Sequence, residues 1–374
     1  MSRPGCLSAL IVNYNTTALT RECVASLRAQ QLCALDGSSI DLEIIVVDNA
    51  SRLADRDGLR DLDATVICSE DNRGYGAALN LATAQARGEL LLFSNPDTWY
   101  FPDALQQMLM AYLRLPRCGA VGPRLWWDHG REFLLPPSDA VTLSTYLQDT
   151  LAKGWPRWGQ SWTSRWLQRA VQYWQGEEAI PQLMLSGACL LTHREVVKKC
   201  GGFDERFRLY YEDSDWCRRL RQHGYRLYYA PTADVAHLYN QSARQDSAAA
   251  QARFAESAVQ YFHKHYGVWS WKLATAIATA MRTSRKTESL ESEYLHLGML
   301  SEPPHLVGET SEPEPYLFLL SPAASGVPAI ARFSDIPSLS VPLSVWQQLG
   351  DGRFYVRLLS LSSLQVLGQW SWEK

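Results

Sequence analysis

Short apolar runs alternate with helix-length segments through the N-terminal part of the chain. Residues 7–14, LSALIVNY, read as a buried strand, and residues 16–30, TTALTRECVASLRAQ, as the helix after it. The runs LEIIVVDNAS (42–51), ATVICSE (64–70) and ELLLFSNPD (89–97) predict three more strands. AALNLATAQARG (77–88) predicts a helix closed by Gly88. None of these runs alternates polar with apolar, so each strand expects cover on both faces. A mostly parallel α/β sheet with helices on both sides satisfies that, and residues 1–120 read as a nucleotide-binding half.

Three of the strands end in polar residues: Asn13-Tyr14-Asn15, Asp48-Asn49 and Asn95-Pro96-Asp97. Ligands of open α/β sheets sit at the carboxyl ends of the strands, where such side chains reach one crevice. Asp97 is a candidate ligand for Mg²⁺ or Mn²⁺, or else a turn former. Asp48 is a candidate for a base or ribose contact, or else a helix cap. The loop EDNRGYGAALN (70–80) places Gly74 and Gly76 before a helix, where the backbone can approach an anion closely.

Further on the pattern changes. Seven of the fourteen tryptophans fall between residues 126 and 174, so this segment is a candidate packing face, or a sugar-stacking or membrane-contacting surface. Trp155, Trp158, Trp162 and Trp166 follow at helical steps. Residues 269–285, WSWKLATAIATAMRTSR, suit a surface helix or an interfacial one. Residues 286–315 turn acidic and proline-bearing and read as a linker, while YLFLL (316–320), RFYVRLL (353–359) and LQVLGQWSW (364–372) predict a small β-rich appendage.

A net charge of −3 offers no global basic field for nucleic acid. The eight cysteines show no C-x-x-C pair and suit reduced thiols. The N-terminus lacks the apolar core of a signal peptide, and no run reaches membrane-spanning length. A cytoplasmic protein is therefore expected.

The stretch RFRLYYEDSDWCRRL (206–220) crowds Glu212, Asp213 and Asp215 at a predicted helix start. The helix dipole favours carboxylates there by about 0.3–1 kcal/mol each, yet one cap would suffice. A general base fits better, because neighbouring carboxylates raise one another's pKa. His237, in APTADVAHLYNQS (230–242), ends a strand-like segment and is a further candidate metal ligand, or a structural histidine.

In order along the chain, ALIVNYN, EIIVVDNAS, NRGYGAALN, LLFSNPDT, LSGACLL, GGFDERFRLYYEDSDWCRRL and AHLYNQS resemble the family 2 inverting glycosyltransferases, nearest the bacterial rhamnosyltransferase-like subgroup. The resemblance implies a GT-A domain over residues 1–268, with an acceptor half at 121–268 carrying the tryptophan-rich insertion 126–174. A helix and linker (269–315) and the β-rich region (316–374) follow it. It also implies that Asn13, Asn15 and Asp48 line a nucleotide pocket, with Asn72, Gly74 and Asn80 near the base or diphosphate. Asn95-Pro96-Asp97 takes the place of the D-x-D metal motif, leaving Asp97 as the principal ligand with His237 in support. Asp213 falls at the catalytic-base position, flanked by Glu212 and Asp215. The implied reaction moves a sugar, L-rhamnose from a dTDP donor or a hexose from UDP-galactose or UDP-glucose, onto a cell-surface polysaccharide or lipid-linked glycan. Contact with the inner face of the cytoplasmic membrane would accompany a lipid-linked acceptor. A glycan-binding or assembly component without turnover is the reading from another class.

Overall fold

The computed structural model describes residues 5–154, 156–238, 247–283, 290–310 and 314–374. Strand β1 (Cys6–Asn13) leads into helix α1 (Thr17–Arg28), β2 (Asp41–Asn49) into α2 (Leu53–Asp57), and β3 (Thr65–Ser69) into α3 (Tyr75–Gln85). Next come β4 (Leu90–Ser94), β5 (Thr98–Tyr100), α4 (Ala104–Arg114) and β6 (Cys118–Trp126). Helices α5 (Leu143–Gly154) and α6 (Pro156–Trp174) precede β7 (Ile180–Gln182), β8 (Cys189–His193), α7 (Arg194–Cys200), α8 (Glu212–Gln222) and β9 (Arg226–His237). After α9 (Ser247–Tyr266) and α10 (Val268–Thr283) the chain forms β10 (Leu295–Met299), β11 (His305–Val307), β12 (Tyr316–Ser321), β13 (Ile330–Ser334) and β14 (Ser338–Ser340). Helix α11 (Leu343–Gln348), β15 (Arg353–Ser360) and β16 (Val366–Glu373) complete it.

Contacts divide the chain into two units. The first, Met1–Leu125, Ser138–Leu143 and Gln175–Lys272, holds a sheet in the order β3-β2-β1-β4-β8-β6-β9-β5, with β7 paired to β9. Strand β1 runs parallel to β2 and β4, and β2 parallel to β3, whereas β8 pairs antiparallel with β4 and β6. The α/β architecture expected from the apolar runs is what the structure shows. Every residue of β4 is buried, as is β1 beyond Cys6, which is why neither strand alternates in sequence. Register then fixes the crevice. Asn13 stands opposite Asp48 and Ile11 opposite Ser94, so the polar ends of β1, β2 and β4 leave the sheet at one edge.

Two expectations need correction. Gly88 does not cap α3, which ends at Gln85. Its amide instead donates to Ser8 Oγ at 2.8 Å, and an added Cβ would lie 2.7 Å from Ser8 N, so close packing on β1 explains the glycine. Nor is the acidic segment wholly a linker, because β10 pairs parallel with β16 and β11 antiparallel with β14.

The second unit comprises Trp126–Pro137, Ser144–Trp174 and Leu273–Lys374, so the tryptophan-rich insertion groups with the C-terminal strands. Its five-stranded sheet has the order β10-β16-β15-β12-β13. Trp166, Leu167, Ala170 and Trp174 of α6 bury themselves against Leu317 and Leu319 of β12, Ala331 of β13 and Leu359 of β15. Trp166 meets Trp174 edge-on at 6.0 Å, and Trp174 Nε1 donates to Leu135 O at 2.8 Å. These two residues of the tryptophan-rich segment form a packing face, not a stacking surface for sugar. Trp155 and the side chain of Trp158 lie outside the described residues. Among the described residues no helix is long and apolar enough to cross a membrane.

Candidate active site

Asn13 and Asp48 reach the sheet edge but turn inward, both fully buried. Asn13 Nδ2 donates to Asp48 Oδ1 (2.9 Å) and Ser51 Oγ (3.0 Å), while its Oδ1 accepts from the hydroxyls of Thr16 and Thr20. Asp48 Oδ2 accepts from Ser51 N (3.3 Å) and Arg56 Nε (2.9 Å). All the hydrogen-bonding capacity of Asn13 is thus used in shaping the turns after β1 and β2. Asn15 sits at φ 54, its N–H on Ser51 Oγ and its Oδ1 accepting from Arg52 N.

The glycine loop is anchored on both sides. Asn72 Oδ1 accepts from Gly74 N (3.0 Å) and Asn49 Nδ2 (3.1 Å), and Asn49 also donates to Gly74 O. Gly74 has φ 97, and a Cβ there would lie 2.6 Å from Arg208 O, so only glycine fits. Arg208 O in turn accepts from Tyr75 N at 3.0 Å. Asn80 clamps the backbone of Phe203 in both directions, at 2.8 and 2.9 Å. That clamp occupies the amide that sequence reasoning placed near the donor.

Asp97 and His237 meet at the end of β4 and β9, because Thr98 of β5 pairs opposite His237. Both are 6% exposed, and His237 Nε2 lies 3.4 Å from Asp97 Oδ1 and 3.3 Å from Asn95 Nδ2. Asp97 Oδ1 is buried without a hydrogen-bond partner. A buried carboxylate oxygen left unsatisfied costs at least about 1–3 kcal/mol, so it suits a group that arrives later. An oxygen and an imidazole nitrogen on one point fit a divalent cation. Among the described residues no three such ligands converge, so a cation here would draw its remaining ligands from its substrate.

The three carboxylates of the acidic run have different surroundings. Asp215, fully buried, has three partners: Lys264 (2.5 Å) and the His265 ring (2.7 Å) on Oδ1, and Arg219 (2.8 Å) on Oδ2. Burial pushes its pKa up, but these partners outweigh it and hold it below the usual range. Arg219 continues to the carbonyls of Cys200, Gly201 and Gly202. Asp215 therefore ties α8 to α9 and to the turn before it, a structural part rather than the catalytic support expected.

Asp213 accepts from Gly187 N at 3.0 Å on Oδ2, and from Ser214 N and Oγ on Oδ1. Burial raises its pKa, and these donors oppose the rise. Glu212, 6% exposed, has no partner at Oε2. Burial and then the Asp213 charge push its carboxyl up to about 8. With the Gly187 and Ser214 donors on Asp213, and only its own backbone amide favouring the charged form of Glu212, the shared proton belongs on Glu212 and the charge on Asp213.

Gly187 joins this pair to the β4 edge, since Ala188 O accepts from Asn95 N at 2.8 Å. A Cβ on Gly187 would stand 2.9 Å from Asp213 Cβ and Oδ2. Sequence reasoning noted LSGACLL as a motif without singling out that glycine. It also passed over Tyr75. Gly76 places its missing Cβ 3.7 Å from Glu212 Cβ, setting the start of α3 beside the acidic pair. The Tyr75 hydroxyl is buried without a partner. Its pKa is driven far up by burial, then by the charges of Glu212, Asp97 and Asp213. A tyrosine between the loop glycines was the available signal.

A relative from Mycobacterium tuberculosis (strain ATCC 25618 / H37Rv), an N-acetylglucosaminyl-diphospho-decaprenol L-rhamnosyltransferase, is 30% identical over 224 residues, covering 55% of this chain and 71% of its own. The O-antigen biosynthesis protein RfbC of Myxococcus xanthus is 28% identical over 185 residues, 46% of this chain and 13% of that protein. Among solved structures, a mannosyltransferase from Pyrobaculum calidifontis aligns over 77% of both chains at 18% identity with a TM-score of 0.47. Residues 8–201, more than half of the chain, match Glycosyl transferase family 2. That match holds the polar strand ends and stops short of Asp213 and His237, which Gly187 and Asn95 tie back to the same edge. The chain belongs to glycosyl transferase family 2.

Proposed function

We propose that the chain is a metal-dependent, inverting glycosyltransferase moving L-rhamnose from dTDP-rhamnose onto a saccharide acceptor, lipid-linked or part of a cell-surface polysaccharide. The M. tuberculosis relative supports the sugar and the lipid link by its own activity. One observation carries the reading of the site: Asp97 Oδ1, Glu212 Oε2 and the Tyr75 hydroxyl are all buried without a hydrogen-bond partner. Native interiors leave few such atoms unsatisfied, so three of them, on Tyr75 and two carboxylates whose charges act on it, suit a polar substrate.

Asp97 and His237 would hold the divalent cation, Mg²⁺ or Mn²⁺, with Asn95 against the imidazole. When bound, such a cation neutralises charge growing on a nucleoside diphosphate leaving group. Asp213, ionised and held by Gly187 and Ser214, takes the proton of the acceptor hydroxyl. That oxygen bonds to the anomeric carbon while the bond from this carbon to the diphosphate oxygen breaks on the opposite face. The configuration inverts in a single displacement. Neutral Glu212 donates a hydrogen bond rather than adding a second charge.

Transfer assays with dTDP-rhamnose, UDP-galactose and UDP-glucose test this. Transfer from dTDP-rhamnose with inversion is expected, and Asp213→Asn should lower it by about a thousandfold while nucleotide binding persists. Transfer from a UDP-hexose alone would replace the donor assignment. Retained stereochemistry, or near-normal turnover in the variant, would end the base assignment. No transfer or donor hydrolysis by purified protein would leave the non-catalytic reading.

A further inference from the structure

The first unit has a cleft of about 640 Å³ between residues 205–208 and α9. Arg206, Arg208, Arg253 and Lys264 line it, against two acids, Glu205 and Glu256. Half of these six charges already have ion-pair partners. Arg206 pairs with Asp204 at 2.6 Å, Lys264 bridges Asp204 and Asp215, and Glu205 takes Arg73 at 2.9 Å. Arg208 and Arg253 are exposed, and neither side chain has a hydrogen-bonding or ionic partner among the described residues. Two unpaired guanidiniums from different elements therefore converge on one hollow.

The cleft is built into the reaction centre rather than set apart from it. Arg208 O holds Tyr75 N, and Ser257 Oγ of the opposite wall donates to Leu209 O at 2.9 Å. Phe254 and Tyr261 of α9 pack on Tyr211, the residue before Glu212. Guanidinium forks match phosphate oxygens in a bidentate way, and a concave basic site raises the local concentration of anions.

We propose that this cleft binds a phosphate or diphosphate group through Arg208 and Arg253, apart from the Asp97–His237 site. It deepens the glycosyltransferase reading by giving a phosphate-bearing acceptor a place to dock, but phosphate binding can be measured without transfer. The test is calorimetric titration of the full chain with inorganic pyrophosphate in EDTA, which removes any contribution from a cation. Wild-type protein should bind, Arg208→Ala and Arg253→Ala should each weaken Kd by about five- to tenfold, and Arg253→Lys should recover part of the loss. Asp97→Ala should bind pyrophosphate as wild type does under these conditions. Intact nucleotide binding with Mn²⁺ in the arginine variants shows that they are folded.

Vesicles separate the two sources of this chemistry. Sedimentation with phosphatidylglycerol vesicles, lost in both arginine variants, assigns the site to a lipid headgroup. Pyrophosphate binding without sedimentation assigns it to a phosphate on a soluble or saccharide-linked ligand. Pyrophosphate affinity unchanged in both arginine variants, or lost in Asp97→Ala instead, overturns the proposal. Absence of transfer with every donor, with pyrophosphate binding intact, counts against the glycosyltransfer reading alone.

Discussion

Adjacent carboxylates divide their labour by hydrogen bonding. Asp213 has Gly187 and Ser214 to stabilise its charge, while Glu212 has a buried, unpartnered oxygen and a carboxyl raised to about 8. A carboxyl whose folded pKa lies above its unfolded value contributes stability in full below the unfolded value, about 4.3, and that contribution is lost as pH rises through about 8. Glu212→Gln should therefore flatten the decline in stability between about pH 5 and 8, read from urea midpoints across that range. Because glutamine keeps a neutral donor, turnover at neutral pH should fall far less than in Asp213→Asn. A variant with the wild-type pH slope would show that Glu212 is not the protonated partner. Asp97 answers to a different measurement. Asp97→Ala removes the orphaned oxygen facing His237, so nucleotide affinity should lose its dependence on Mn²⁺ while the metal-free affinity stays put. Metal-dependent binding that persists in that variant would move the cation elsewhere.

Elements set these residues in place through contacts that no side-chain catalogue reveals. Gly187 lies within a close approach to Asp213 that a methyl group would fill at 2.9 Å. Gly187→Ala should displace the carboxylate and lower kcat by about a hundredfold or more, as small misplacements of catalytic groups do, with nucleotide affinity and melting temperature near wild type. Equal losses in stability and kcat would make the glycine merely structural. Strands β1, β2 and β4 and the edge they share were legible in sequence, because buried strands read as unbroken apolar runs and their polar ends mark the edge, whereas β5, β6 and β7 were not read. Asp97, His237, Glu212 and Asp213 do come together in pairs at that edge. What sequence could not supply is who already holds a partner. Asp48, Asp215 and Asn80 look as functional as Asp213 by type and position, yet Arg56, the Lys264–His265–Arg219 set and the Phe203 backbone engage them. Such pairings join residues far apart in the chain, so spacing does not encode them.

At the scale of the whole molecule, the segments that looked least alike in sequence share one core. Helix α6 comes from a tryptophan-rich insertion and strands β12, β13 and β15 from the tail, yet Trp166 and Trp174 are buried with Leu317, Ala331 and Leu359. Arg332 adds an ion pair to Glu132 within the same unit. Neither segment covers its apolar face alone, so each depends on the other despite the residues between them. Removing residues 314–374 should uncover Trp166, Leu167 and Trp174, giving dye binding to exposed apolar surface and a red-shifted tryptophan emission. Trp166→Ala should destabilise this unit by about 3–5 kcal/mol, as loss of a buried tryptophan does. Combining it with Leu317→Ala should cost less than the sum of the two, by about 0.5 kcal/mol or more, since both side chains line one cluster. Strict additivity, together with a truncated chain whose tryptophan emission matches wild type, would mean that helix and tail fold independently.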